Sequence, residues 1–217
     1  MYDDILSKII IILIILFSVA IHEFAHCWTT DRLGDHTPRN AGRVTLNPLV
    51  HLDPIGTIMI IVSTMSGFGF GWGKPSPMYP SNFRNPAFGR MISAFAGPMS
   101  NILQMFAWMG IYQIFNVFIL NTNTIDLEII YRLHFTFTYG IILNAVLAIF
   151  NLLPIYPLDG HHILSYLVPY NIRPIIDNPA WQFVLFILIF TGGLKYILSP
   201  AVDVVYSLTH FLIGIQI

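Results

Sequence analysis

Charge is what this sequence has least of. Only 10% of its 217 residues are Asp, Glu, Lys or Arg, where a soluble domain carries about 25%. A water-soluble globule of this size needs more to cover its surface, so a soluble enzyme and a disordered chain are both excluded. The few charges nearly cancel, ten Lys and Arg against eleven Asp and Glu. No polyanion-binding face is expected, and nucleic acid is not an expected partner. Cysteine is almost absent as well: Cys27 stands alone, and one thiol makes no internal disulfide framework. What is abundant is apolar. Hydrophobic residues make up 55% of the chain and the mean hydropathy is +0.69. This is the composition of an all-α polytopic membrane protein.

The first apolar run covers residues 9–28. As a helix it would be roughly 30 Å long, the thickness of the hydrocarbon core. Asp3 and Asp4 precede it, with Lys8 the only base, and no small-residue cleavage site follows. It therefore reads as a retained span rather than a signal peptide. A second run, residues 55–70, is short and rich in glycine towards its end, a poor span. Runs at 91–120, which contains Gly97-Pro98, at 134–153 and at 180–198 are long enough to cross. Residues 201–217 hold Asp203 and His210 and either span or lie at the interface. Polar connections fall at 31–54, 71–90, 121–132 and 159–179. Within the first, the alternating residues 42–48 read as an edge strand. Bases cluster after the first run (Arg32, Arg39, Arg43) and in the second connection, 71–90 (Lys74, Arg84, Arg90). By the positive-inside rule both segments are cytoplasmic, while 121–132, with Asp126 and Glu128, suits the outside.

His22-Glu23-Phe24-Ala25-His26 lies inside the first span. Histidines at i and i+4 stack on one helical face, so both imidazoles can reach one metal ion, and Glu23 projects beside them. This is the H-E-x-x-H arrangement of zinc peptidases. Three ionisable groups in five residues of a membrane helix are costly, and such groups are functional by default. A third protein ligand is required, with a position left for water. Asp159 is the strongest candidate. It follows Pro154 and Pro157, which end the fourth apolar run, and precedes Gly160, which permits an unusual backbone turn. His161 and His162 are rivals. His51 fits better as part of a loop that leads into a helix capped by Asp53. Ser93, Gly97 and Asn101 fall at i, i+4 and i+8 of the third run, a stripe for close helix packing that also lets Asn101 point at the site. Asn151 either caps freed backbone before Pro154 or hydrogen-bonds near the metal.

Taken together, His22-Glu23-x-x-His26, Gly97-Pro98-x-x-Asn101 and Asn151-x-x-Pro154-x-x-Pro157-x-Asp159-Gly160 resemble the site-2 protease family of intramembrane zinc metalloproteases. Leu52-Asp53-Pro54-Ile55-Gly56 and Gly71-Trp72-Gly73-Lys74-Pro75 resemble its connecting segments. The 217 residues carry no PDZ or CBS module, and His161-His162 follow Gly160. The resemblance implies one Zn2+ per chain held by His22, His26 and Asp159, with Glu23 as the base that activates a zinc-bound water. It implies substrate-binding roles for Asn101 and Asn151. The partners it implies are a transmembrane protein substrate and the lipid bilayer. The expected location is a bacterial plasma membrane, multi-pass, with the active site open to the cytoplasm.

The expected architecture is a single domain over 1–217. A three-helix catalytic core covers about 9–165, with a re-entrant segment and short β-strand or hairpin loops, and one or two C-terminal membrane helices cover about 179–217. The re-entrant segment follows from parity. The histidines end one helix and Asp159 follows the end of another, and one metal must touch both. Those helices are then parallel, an odd number of crossings separates them, and run 91–120 supplies it, so run 55–70 must dip in and return. The edge strand at 43–47 is expected to hold an unwound substrate. A divalent-metal transporter would also place His and Asp at membrane depth, but catalysis explains Glu23 better.

Overall fold

The computed structural model describes residues 4–67, 70–120 and 126–213. Three helices dominate. Helix α1 (Ile5–Arg32) ends in a short turn α2 (Thr37–Asn40). Helix α4 (Pro86–Leu120) begins with proline, which needs no N–H partner there. The Asn85 side chain accepts from Phe88 N at its start. Helix α5 (Leu127–Leu152) is capped by Asp126, which accepts from Glu128 N at 2.7 Å. It stops ahead of Pro154. All three are long and apolar enough to cross a membrane. Helix α4 packs between α1 and α5. Met105, Met109 and Tyr112 of α4 interlock with Phe137, Ile141 and Ala145 of α5.

Helix α3 (Pro54–Met65) is 12 residues long, or about 18 Å, well short of a bilayer core. Asp53 caps it through Gly56 N at 2.8 Å, as its sequence position suggested. Beyond α3 the chain turns at Gly67, whose φ of +84° suits glycine, and then runs back along the same helix. Ser63 Oγ donates to Phe70 O and accepts from Phe70 N, both at 2.7 Å. The two arms touch through glycine: a Cβ on Gly56 would sit 2.1 Å from Trp72 O. At the open end Leu52 and Gly73 form an antiparallel bridge, and Lys74 N donates to His51 O at 2.8 Å. The segment enters and leaves on one side, as parity required.

The strand expected at 42–48 does not form; the isolated Leu52–Gly73 bridge replaces it, and no strand occurs among the described residues. Its backbone is committed locally. Gly42 turns at φ +67°, and Arg43 N donates to Pro38 O at 2.8 Å. Thr45 O accepts from His51 Nε2 at 2.8 Å, and Asn47 Oδ1 caps the turn Pro48–Val50. Alternation without a neighbouring strand makes no ladder.

The fifth apolar run also departs from expectation. It breaks at Gly192, φ +74°, into α8 (Trp181–Phe190) and α9 (Gly193–Ile213). The two are bent by 76°, so they make at most one broken span. Before them come α6 (Asp159–Leu167) and the short α7 (Arg173–Ile176). The last residues of the expected stretch 201–217, from 214 on, lie outside the described residues.

Candidate metal centre

His22 and His26 stack one turn apart on α1, with their Nε2 atoms 3.0 Å from each other. Asp159 is the first residue of α6. Its Oδ2 lies 3.2 Å from His22 Nε2 and 3.3 Å from His26 Nε2. It reaches them because α6 starts hard against the end of α5: a Cβ on Gly160 would come 2.1 Å from Leu152 O. Three ligand atoms around a tetrahedral zinc, each at about 2.0–2.1 Å, would stand roughly 3.3 Å apart, close to these separations.

The remaining polar atoms support a cation at that point. A backbone carbonyl only accepts, so His26 Nδ1, 2.7 Å from Ser93 O, donates to it. In the neutral ring that leaves His26 Nε2 with a bare lone pair. His22 Nδ1 meets Asn101 Oδ1 at 2.6 Å. Asp159 Oδ2 is buried and has no hydrogen-bond donor. Helix α4 presses its backbone against both rings: a Cβ on Gly97 would lie 2.4 Å from His26 Nε2 and 2.6 Å from His22 Cε1. Two imidazoles with an oxygen ligand and room beyond suit zinc.

Beside this group is a cavity of about 530 Å³. Glu23 lines it, and so do Asn151, His162 and the returning arm of the re-entrant segment. Glu23 lies against that arm, for a Cβ on Gly73 would sit 2.9 Å from Glu23 Cγ. The far wall comes from α8, through Leu185, Phe186 and Ile189. Asn151 Nδ2 donates one turn back to Leu147 O at 2.9 Å. Asn101 is fully buried behind His22 rather than in the cavity. His161 Nε2 faces Asp177 Oδ1 at 3.3 Å, and neither His161 nor His162 belongs to the clustered donor set. His51 is fully buried, and burial holds its imidazole below the usual range.

Sequence reasoning missed three contributors. The Ser93 carbonyl carries no mark in a sequence. Asn144, fully buried on α5 and 3.0 Å from Asn101, had one available signal, an amide inside an apolar helix. Gly73 had only its place in Gly71-Trp72-Gly73.

Comparison with known proteins agrees with this geometry. The sequence pattern of "Peptidase family M50" matches residues 117–192, the stretch that holds Asp159. The chain is 34% identical over 197 residues to "Putative zinc metalloprotease YwhC" of Bacillus subtilis, covering 89% of this chain and 85% of that protein. It is 28% identical over 181 residues to "Putative zinc metalloprotease Rip2" of Mycolicibacterium smegmatis, covering 80% of this chain and 63% of that protein. No solved structure matches. Identity of this extent, over nearly the whole of both YwhC and this chain, makes the kinship plain: the chain belongs to peptidase family M50, the site-2 protease family.

Proposed function

We propose that this zinc metalloprotease cleaves peptide bonds within or near transmembrane segments of membrane proteins. In this reading His22, His26 and Asp159 hold one zinc ion per chain, and Glu23 is the general base. One observation carries the proposal: the three donor atoms converge on one wall of a cavity that Glu23 also lines. When bound, zinc supplies Lewis acidity, polarising a scissile carbonyl and easing the loss of a proton from water. Glu23 takes that proton and returns it to the leaving amine. Ser93 O and Asn101 hold the two imidazoles in the orientation a ligand needs. Apolar side chains from α8 and the re-entrant arm suit an unwound transmembrane segment, and Asn151 offers it a polar contact at the cavity wall.

The bilayer is the second partner. Arg32, Arg39, Arg43, Lys74, Arg84 and Arg90 gather in the segments next to the site, which supports a cytoplasmic opening in a bacterial plasma membrane. The test is reconstitution with transmembrane reporter peptides. Glu23→Gln should keep its zinc and lose cleavage by about 10²–10⁴-fold, the usual cost of removing a general base. Cleavage at wild-type rate by that variant would overturn the role of Glu23. Zinc movement into vesicles without any cleavage would favour a transporter instead.

A further inference from the structure

A chain of buried amides runs from the metal centre into the helical core. His22 Nδ1 meets Asn101 Oδ1 at 2.6 Å. Asn101 Nδ2 donates to Asn144 Oδ1 at 3.0 Å. Asn144 Nδ2 donates to Gly140 O at 2.9 Å and to Ser18 Oγ at 3.1 Å. Asn101 and Asn144 are both fully buried, so water cannot replace any partner. The links join α4 and α5 to α1.

An amide can rotate by 180° and exchange its nitrogen for its oxygen. In this chain one atom removes that freedom. Gly140 O is a backbone carbonyl and accepts only, so the Asn144 atom facing it must be nitrogen. Asn144 then turns its oxygen to Asn101. Asn101 must answer with nitrogen, which leaves its oxygen for His22. The His22 atom facing that oxygen must carry a hydrogen, and Nδ1 is therefore the protonated nitrogen. Ser18 decides nothing, because a hydroxyl donates or accepts as required. His26 reaches the same end in one step, through Ser93 O.

We infer that Asn144 is a positioning residue that, anchored on the Gly140 carbonyl, sets the tautomer of His22 through Asn101 and keeps its Nε2 lone pair aimed at the metal. The inference deepens the proposed metal reading, since it assigns what prepares one of the ligands. Without Asn144, Asn101 is free to rotate and offer nitrogen to His22 Nδ1. That stabilises the tautomer with hydrogen on Nε2, which cannot bind zinc.

Asn144→Leu keeps the branched outline of the side chain and removes the relay. Zinc release from the detergent-purified protein to a chromogenic chelator should then be about 10–100-fold faster, the usual effect of removing a hydrogen-bonding partner one layer behind a ligand. Asn101→Asp added to Asn144→Leu should restore slow release, because a carboxylate oxygen accepts from His22 Nδ1 without instruction. A mere packing defect would not be repaired in that way. Ser18→Ala should release zinc as the wild type does. Release at the wild-type rate from Asn144→Leu overturns the inference, and so does failure of the double variant to recover. Side-chain ¹⁵N shifts of the metal-free wild type provide a reading that needs neither a variant nor zinc. A proton on His22 Nδ1 supports the relay and a bare Nδ1 overturns it, whereas zinc retained by His22→Ala/His26→Ala would count against the ligand assignment alone.

Discussion

At Gly97 a single methyl group would crowd both histidines of the proposed metal centre. Its added Cβ would press within 2.4 Å of the His26 ring and 2.6 Å of the His22 ring, far inside ordinary contact. Neither imidazole can retreat, since each is tied from behind through Nδ1. Gly97→Ala should therefore reduce zinc from about one per chain, as a single site implies, to a small fraction, read by elemental analysis of purified protein. Gly110→Ala, on the same helix, meets nothing within 4 Å and should keep its zinc. Equal zinc in the two variants would show that α4 does not shape the site. The residues proposed as ligands, which the fold does bring together, were legible in the sequence because their signals are local: an i, i+4 histidine pair, and a carboxylate just after two prolines. Asn101 was noticed as a packing residue that could also point at the site. The fold adds what it meets there, the back of the His22 ring at Nδ1. Ser93 O and Gly140 O act through the backbone, so no side chain announces them.

The apolar helices were legible as runs, and the short α3 as a run too brief to cross. What escaped the sequence were elements decided by distant partners or by a single backbone angle. The alternating residues 42–48 had strand chemistry but no strand to join, and Gly192 divides what reads as one span. A clamp at the end of α1 belongs to the same class. Asp35 is fully buried and accepts from Thr37 N, Thr37 Oγ1, Tyr79 N and Asn82 Nδ2. It fastens the segment after α1 to the one that leads into α4. Burial alone would raise its pKa, but hydrogen bonds from Thr37, Asn82 and Tyr79 outweigh that and hold the carboxyl below its usual range. The sign follows from linkage. A carboxyl with a lower pKa folded than unfolded contributes stability above its unfolded value of about 3.9, and loses it as pH falls through the folded value. Asp35→Asn should lower stability near neutrality by about 1–3 kcal/mol, as expected for buried donors left without an acceptor. It should also flatten the acid limb of thermal midpoint against pH. An acid limb as steep as the wild type's would remove Asp35 from the account.

For the whole molecule the proposed metal centre is a constraint on topology. His22 and His26 stand near the end of α1, and Asp159 follows the end of α5, yet their ligand atoms lie within 4.8 Å. The two helix ends share one depth, so α1 and α5 run parallel and α4 runs against them. Residues 55–70 then cannot cross, and the 12-residue α3 with its returning arm does not. Residues 71–90 must leave the membrane on the side where α1 ends. The bases there, Lys74, Arg84 and Arg90, support the proposal that this side faces the cytoplasm. Single cysteines in a Cys27→Ser background can test this with an impermeant thiol reagent. Cysteine at Ser76, at the cavity wall, or at Ser81 should label only in inverted vesicles. Asn123 lies outside the described residues, in the connection between α4 and α5, and cysteine there should label only in intact cells. Labelling of the Ser76 and Ser81 positions in intact cells, while cysteine at the exposed Asn40 just after α1 still labels only in inverted vesicles, would mean that the re-entrant segment crosses after all. Helix α1 and helix α5 would then be antiparallel, and Asp159 would stand on the opposite side of the bilayer from the histidines it is proposed to join.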